Sequence, residues 1–289
     1  MSKERLTIVI PAYNEENRLP LTIKKILEWA DKTSIFEVEL IIVDDGSEDR
    51  TCDVVQEFAA KDSRVRLIEE IHVGAVHAIL KGFRAAKYSL VGNMDADIAV
   101  HPREFETLLP FVYESGIAQG SRVLQKNRPY SLLRTILSFS EMVHKSLTRK
   151  IISVLSLLVF NALFKDQVKD PQIGFRLFRK ESVLKVQATM RLWHDGIKHS
   201  EIAIRAFGLG MTVTEIPVKY IHNEDSRCVP KELSKAIFIS LEAFVALISM
   251  WVQCSMDYHT GILKRRTTRG AFLLWPFSQF LKKRRESSD

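Results

Sequence analysis

The residues from Tyr88 to Met94 form an apolar run that ends in Asp95-Ala96-Asp97. A continuous apolar run of this length reads as a strand buried on both faces, and such strands belong to parallel sheets covered by helices on either side. Carboxylates at the carboxyl end of such a strand stand where open α/β sheets bind ligands. Side chains at i and i+2 of a strand share a face, so Asp95 and Asp97 can point at one hard cation. An isolated Asp-x-Asp also fits a solvated turn. The upstream pair Asp44-Asp45, which closes another apolar run, favours a site.

The rest of the first half repeats the pattern. Strands are expected at Leu6 to Ile10, Val38 to Val43, Val65 to Ile68 and Ile117 to Gly120, with helices at Leu19 to Ala30, Thr51 to Ala60, Gly74 to Lys87 and from Pro102 to Glu114. Pro11 is expected to end the pairing of the first strand, Asn14 to cap the first helix, and Ser47 or Asp49 to cap the second. Strand–helix alternation of this kind implies a mostly parallel sheet with helices on both faces. Three strands then deliver polar clusters to one edge, near Tyr13 and Glu15, Asp44 and Asp45, and Asp95 and Asp97. No GxGxxG or P-loop follows any strand, so a Gly-rich phosphate cradle is excluded.

The second half is less regular. From Ser131 to Phe164 the pattern is helical, and Ile151 to Phe164 carries no charge between Lys150 and Lys165. That stretch falls short of the roughly 20 residues a membrane span needs and fits an amphipathic helix at a bilayer interface; a core helix pair is the alternative. Asp170 to Phe178 reads as a loop and then a strand, Glu201 to Phe207 as a helix, and Met211 to Val218 as a strand. Tyr220 to Pro230 is a polar loop. Ala236 to Met256 carries one charge, Glu242; a packed or interfacial helix is expected, with a single membrane crossing as the alternative. The tail interleaves Phe and Trp with Lys and Arg, a pattern of bilayer interfaces. These signals divide the chain into an α/β domain over 1–230, with interface helices at 131–165, and a membrane-associating segment over 231–289.

Lys plus Arg number 42 against 35 Asp plus Glu, a net charge of +7. The excess gathers between Arg122 and Lys150 and again in the tail, which implies an anionic partner. The basic blocks alternate with Leu, Ile and Phe and carry no nucleic-acid-binding signature, so a membrane surface or a phosphorylated substrate is favoured and nucleic acid is not. The three cysteines, Cys52, Cys228 and Cys254, show no CxxC spacing, which fits a reducing compartment and argues against zinc. Met1 to Arg5 leads straight into a strand with no signal peptide pattern, and the cytoplasmic face of a membrane is the expected location.

With Pro11-Ala12-Tyr13-Asn14-Glu15, Val43-Asp44-Asp45-Gly46-Ser47 and Asp95-Ala96-Asp97 in this order, the chain resembles the family 2 glycosyltransferases of the GT-A fold. Gly120-Ser121-Arg122, the run Asp170-x-Gln172-x-Gly174-Phe175-Arg176-Leu177-Phe178 and Glu201 resemble the branch that makes polyprenyl-phosphate sugars, which includes dolichyl-phosphate β-glucosyltransferases and dolichol-phosphate mannose synthases. The resemblance implies that Pro11, Tyr13 and Glu15 contact the base and ribose of a nucleotide-sugar and that Asp44 binds the base. Asp95 and Asp97 would hold the diphosphate through Mg²⁺ or Mn²⁺, an oxygen-seeking ion suited to carboxylates and phosphates. Asp170 and Gln172 would lie near the sugar; Arg122, Arg134 and Ser138 would bind the lipid phosphate, and Arg227 would approach the phosphates. Ala99 stands where the mannose synthases tend to have Gln, Gly74-Ala75-Val76 lacks a frequent lysine, and His199 replaces a frequent Asp. These departures leave the sugar and the base open, with Ala99 favouring a UDP-hexose.

The activity so implied is inverting transfer of a hexose to the phosphate of a polyprenyl phosphate. A phosphate monoester has a second pKa of about 6, so the nucleophile is already anionic at neutral pH and no strong base is required. The alternative is transfer to a hydroxyl of a glycan or glycolipid, which needs a base, for which Asp170, Glu201 or His199 are the candidates. The sequence does not bear on oligomeric state.

Overall fold

The computed structural model describes residues 3–124, 155, 158–164, 168–190, 197–221, 233–265 and 267–269. Among them the strands are β1 (Glu4–Ala12), β2 (Phe36–Asp45), β3 (Val65–Glu70), β4 (Leu90–Asn93), β5 (Gly116–Ser121), β6 (Arg176–Arg179) and β7 (Thr212–Pro217). The helices are α1 (Leu19–Lys32), α2 (Thr51–Lys61), α3 (Ala75–Ala85), α4 (Glu104–Ser115), α5 (Lys180–Gln187), α6 (Lys198–Gly208) and α7 (Leu233–His259). One sheet runs in the order β3-β2-β1-β4-β6-β5-β7. The first four strands of that order are parallel, β5 and β7 are parallel, and β6 is antiparallel to both of its neighbours.

Each apolar run feeds two cores, because alternate side chains leave opposite faces of a strand. Leu6, Ile8, Ile10, Leu40 and Ile42 pack with Leu19, Ile23, Ile26, Val55, Phe105 and Leu108, so α1, α2 and α4 cover that face. Val9, Ile41, Val43 and Val91 face the other way, onto Val76, Ile79, Phe83, Val183 and Ile202 of α3, α5 and α6. Burying one such side chain is worth about 1.5–3 kcal/mol. Gly82 lets α3 approach the sheet, since a Cβ there would lie 2.3 Å from a methyl of Val9.

Several local expectations are corrected. Pro11 stays within β1, in register with Val43. The Val9 carbonyl accepts the Met94 N–H, so Val9 and Pro11 turn their backbone groups toward β4. The β1–β4 pairing stops at Val9 and Asn93, so the absent N–H of Pro11 costs no ladder bond. Asn14 does not cap α1. It adopts a left-handed backbone, φ 55°, and its Oδ1 accepts the Glu48 and Asp49 N–H groups. Asp49 takes the Thr51 N–H at the start of α2, whereas Ser47 accepts the Asn14 N–H instead. The helix α5 was not expected; its apolar positions are too few to mark it.

No helix among the described residues is long and apolar enough to cross a membrane. The stretch from Ala236 to Met256 is the middle of α7, whose Ala246, Leu247, Met250 and Cys254 pack with Phe160, Phe164, Ile197 and Ile204, as expected of a packed helix. A buried ion network locks it down. Arg205 of α6 donates through Nε to Glu201 at 2.7 Å and through Nη1 to Asp257 of α7 at 2.8 Å. Removing one member of a buried network of this kind costs about 3–5 kcal/mol.

Candidate active site

The neighbouring parallel strands β2, β1 and β4 end at one edge of the sheet and bring their polar termini together. Asp44, next to last in β2, lies beside Ala12 of β1. Its Oδ2 accepts the N–H groups of Gly46 at 3.1 Å and Ser47 at 3.0 Å. Its Oδ1 is buried and has no hydrogen-bond partner among the described residues. Such an acceptor costs about 1–3 kcal/mol while unmade and suits an incoming N–H donor. Burial and the neighbouring Asp44 charge push the Cys52 thiol up to about 12.

Past the end of β1, Tyr13 is 40% exposed. Its ring stacks on His72, with centroids 4.3 Å apart and planes 23° apart. His72 is held by its Nδ1, 2.9 Å from an Asp45 carboxylate oxygen. Asp45 also accepts the Val73 and Gly74 N–H groups, so it shapes a turn. Glu15 pairs with Arg18 at 3.2 Å, and its N–H donates to Thr51 Oγ1. Pro11 is half-buried beside them.

Asp95 is exposed and Asp97 half-buried just past β4. Both line a cleft with Ala99, Ile173, Gly174 and Tyr220. Asp97 Oδ1 accepts the Ala99 N–H at 3.0 Å, and the Ala96 carbonyl accepts from Thr22 of α1 at 2.6 Å. Ile98 is held left-handed at φ 53°, a conformation that costs a β-branched residue about 1–3 kcal/mol. Gly174 abuts the Asp95 carboxylate so closely that a Cβ would fall 2.2 Å from Asp95 Oδ2. Two carboxylates at a cleft wall fit a hard divalent cation. No group of three or more His, Cys, Asp or Glu suited to a metal occurs among the described residues.

Arg122 and Asp170 come together beneath the cleft. Asp170 is fully buried. Its carboxylate accepts Arg122 Nε at 2.8 Å, Nη2 at 2.6 Å and the Arg122 backbone N–H at 2.9 Å. Burial opposes the Arg122 charge, but Asp170 outweighs it and holds the pKa above the usual arginine value. The guanidinium also sits 5.4 Å over the Tyr220 ring. Burial, with the Asp97 and Asp95 charges set against the pull of Arg122, raises the Tyr220 phenol. Thus Asp95, Asp97, Tyr220, Arg122 and Asp170 form one strip. Gln172 is exposed on the loop that carries Gly174. Arg134, Ser138 and Arg227 lie outside the described residues.

The sequence reading missed Tyr220 and His72 as site residues. Tyr220 opens the polar loop after the last strand, which was a usable signal. His72 follows β3 on the same edge, and only the topology marks it. Glu201 and His199 stand elsewhere: both are buried, and Glu201 is paired with Arg205.

Residues 7–185 match the family model described as Glycosyl transferase family 2. A dolichyl-phosphate beta-glucosyltransferase of Trichomonas vaginalis is 30% identical over 232 residues, covering 77% of this chain and 67% of that protein. The Homo sapiens protein of the same name is 28% identical over 244 residues, covering 78% and 70%. Among solved structures, glucosyl-3-phosphoglycerate synthase from Mycobacterium tuberculosis, with Mn²⁺, UDP and phosphoglyceric acid, aligns with a TM-score of 0.56 at 17% identity over 86% of this chain and 78% of that one. A mannosyltransferase from Pyrobaculum calidifontis with GDP-Man and Mn²⁺ aligns with a TM-score of 0.53 at 18% identity over 97% and 81%. The fold is GT-A.

Proposed function

The chain belongs to glycosyl transferase family 2, and from that premise we propose that it transfers glucose from UDP-glucose to the phosphate of a polyprenyl phosphate of the dolichyl type, inverting to a β-linked product. The names of its relatives support the glucosyl group and the lipid phosphate. One observation in the structure carries the choice of acceptor. Asp170, Glu201 and His199, on which transfer to a hydroxyl would call for a base, are all buried, and both carboxylates sit in ion pairs. An acceptor that arrives already ionised has no need of them.

In this reading the Asp44 Oδ1 accepts an N–H from the base, and the exposed Tyr13 ring, backed by His72, offers an aromatic surface beside it. Asp95 and Asp97 would hold Mg²⁺ or Mn²⁺, and an ion bound there neutralises charge developing on the departing diphosphate. Arg122, held by Asp170 and stacked 5.4 Å over the Tyr220 ring, fixes the wall of the cleft that Tyr220 forms. Arg134, Ser138 and Arg227 remain the proposed contacts to the lipid phosphate.

The acceptor phosphate stands at head-group height, so the cleft must rest on a bilayer surface, which we assign to the cytoplasmic face. Exposed Leu241, Phe244 and Val245 on α7, with Leu155 and Leu158, offer an apolar edge for that contact. The test is transfer. Labelled UDP-glucose, GDP-mannose and other donors are incubated with dolichyl phosphate and Mn²⁺. Label from UDP-glucose should enter an organic-soluble lipid phosphate. Transfer from UDP-glucose only to hydroxyl acceptors would overturn the reading.

A further inference from the structure

Four polar side chains cross the sheet in a single row. The register pairs Asn93 of β4 with Arg176 of β6, Arg176 with Gln119 of β5, and Gln119 with Glu215 of β7. The row two residues earlier, Val91, Phe178, Ile117 and Val213, belongs to the core under α3, α5 and α6. The polar row thus begins where the apolar core of that face stops.

Every member of the row grips the same piece of backbone. Glu215 accepts the N–H groups of Lys169 at 2.6 Å and Asp170 at 2.8 Å. Gln119 donates to the Asp170 carbonyl at 3.1 Å. Arg176 donates through Nη2 to the Pro171 carbonyl at 3.0 Å. Asn93 donates to the Gly174 carbonyl at 2.6 Å. Gln119 also donates to Glu215 at 3.1 Å, which ties two members together. The gripped segment, 169–174, carries Asp170, Gln172 and the Gly174 that abuts Asp95.

We infer that Asn93, Arg176, Gln119 and Glu215 act as one cross-sheet clamp, a set of positioning residues that sets the 169–174 loop and, through Gly174, the placement of the Asp95 carboxylate. A lone loop bond would be an ordinary structural contact. Four successive strands holding consecutive stretches of one loop, in register and at the end of the core, form a platform. The row is also polar where an apolar side chain would pack more cheaply. Arg176 and Gln119 are wholly buried, and Arg176 Nε and Nη1, Asn93 Oδ1 and Gln119 Oε1 have no hydrogen-bond partner among the described residues. Donors and acceptors left over in one row suit bridging waters. They also show that the row is not optimised for stability alone.

The function assigned to the loop rests on the proposed transfer reaction, but the clamp can be read without it. Hydrogen–deuterium exchange of the segment 169–174 is measured in the full chain for wild type, Asn93→Ala and Glu215→Gln, beside the concentration of Mn²⁺ that gives half-maximal UDP binding. In Asn93→Ala, exchange at 172–174 should rise at least about tenfold and the Mn²⁺ requirement should rise severalfold, with Tm lowered by only a few degrees. Glu215→Gln replaces one of the two accepting oxygens by an NH₂ group that faces a backbone N–H, so exchange should rise at 169–170 while 172–174 stays near wild type. Unchanged exchange in Asn93→Ala would overturn the clamp, and so would an increase spread evenly over the whole sheet. Altered exchange with an unaltered Mn²⁺ requirement would overturn its link to Asp95. If the protein transfers no sugar, the exchange result still stands or falls alone.

Discussion

At the scale of residues, exposure separates chemistry from support. Asp95 and Asp97 line the cleft, the first exposed and the second half-buried, so their loss should touch activity more than folding. We expect Asp97→Asn to lower kcat/KM at least about 100-fold, the range of a lost Lewis-acid site, with Tm shifted by no more than a degree or two. Asp170 behaves oppositely. Replacing Arg122 by Ala leaves a buried carboxylate without its partner, which costs about 3–5 kcal/mol, and thermal unfolding should register a loss of many degrees. The sequence carried these residues as a group, because strand ends and acidic pairs are visible in the pattern. It did not separate the two kinds, since Asp95 and Asp170 both follow as carboxylates in polar loops. Only the packing shows that one faces the cleft and the other faces Arg122. The stacking of Tyr13 on His72 was equally hidden, because the two rings lie on different loops and meet only once β1, β2 and β3 are aligned.

At the scale of elements, the runs that are apolar on both faces announced their strands, and the amphipathic runs announced α1 to α4. What the pattern could not give was direction and extent. The strand β6 is short and antiparallel, and nothing in Arg176 to Arg179 tells a parallel strand from an antiparallel one. Pro11 was misplaced because a proline stops a strand only where its N–H was needed. Glu39 shows how one buried charge can tie elements: it accepts from Thr7 of β1 and the Lys87 N–H and pairs with Arg66 of β3. Burial raises its pKa, but Thr7, Lys87 and Arg66 together hold it below the usual value. A carboxylate lowered in the folded state stabilises above its unfolded pKa of about 4.3, and that contribution is lost as pH falls through the folded value. Glu39→Gln should therefore flatten the loss of stability below about pH 4.3, measured by urea unfolding across pH. Equal slopes in both proteins would refute that assignment.

At the scale of the whole molecule, the catalytic sheet and α7 are one body, joined by Arg205 between Glu201 and Asp257. For Ala236 to Met256 a packed or interfacial helix was expected, with a membrane crossing as the alternative; α7 packs Ala246, Leu247, Met250 and Cys254 on the core and leaves Leu241, Phe244 and Val245 outside. Hydropathy counts residues without asking which face they occupy, which is why the sequence left both readings open. Replacing those three by Ser should weaken sedimentation with anionic vesicles severalfold and leave UDP binding unchanged. Vesicle binding equal to wild type would mean that α7 is not the contact.

The central claim is that the Asp95 and Asp97 carboxylates hold a divalent ion with the donor diphosphate at the edge of the sheet. Crystals grown with UDP and Mn²⁺ and measured at the manganese edge test it most directly. The account predicts one anomalous peak bonded to Asp95, Asp97 and the diphosphate, absent in Asp97→Asn. A peak elsewhere, or UDP bound in place with no ion between it and the two aspartates, would contradict it.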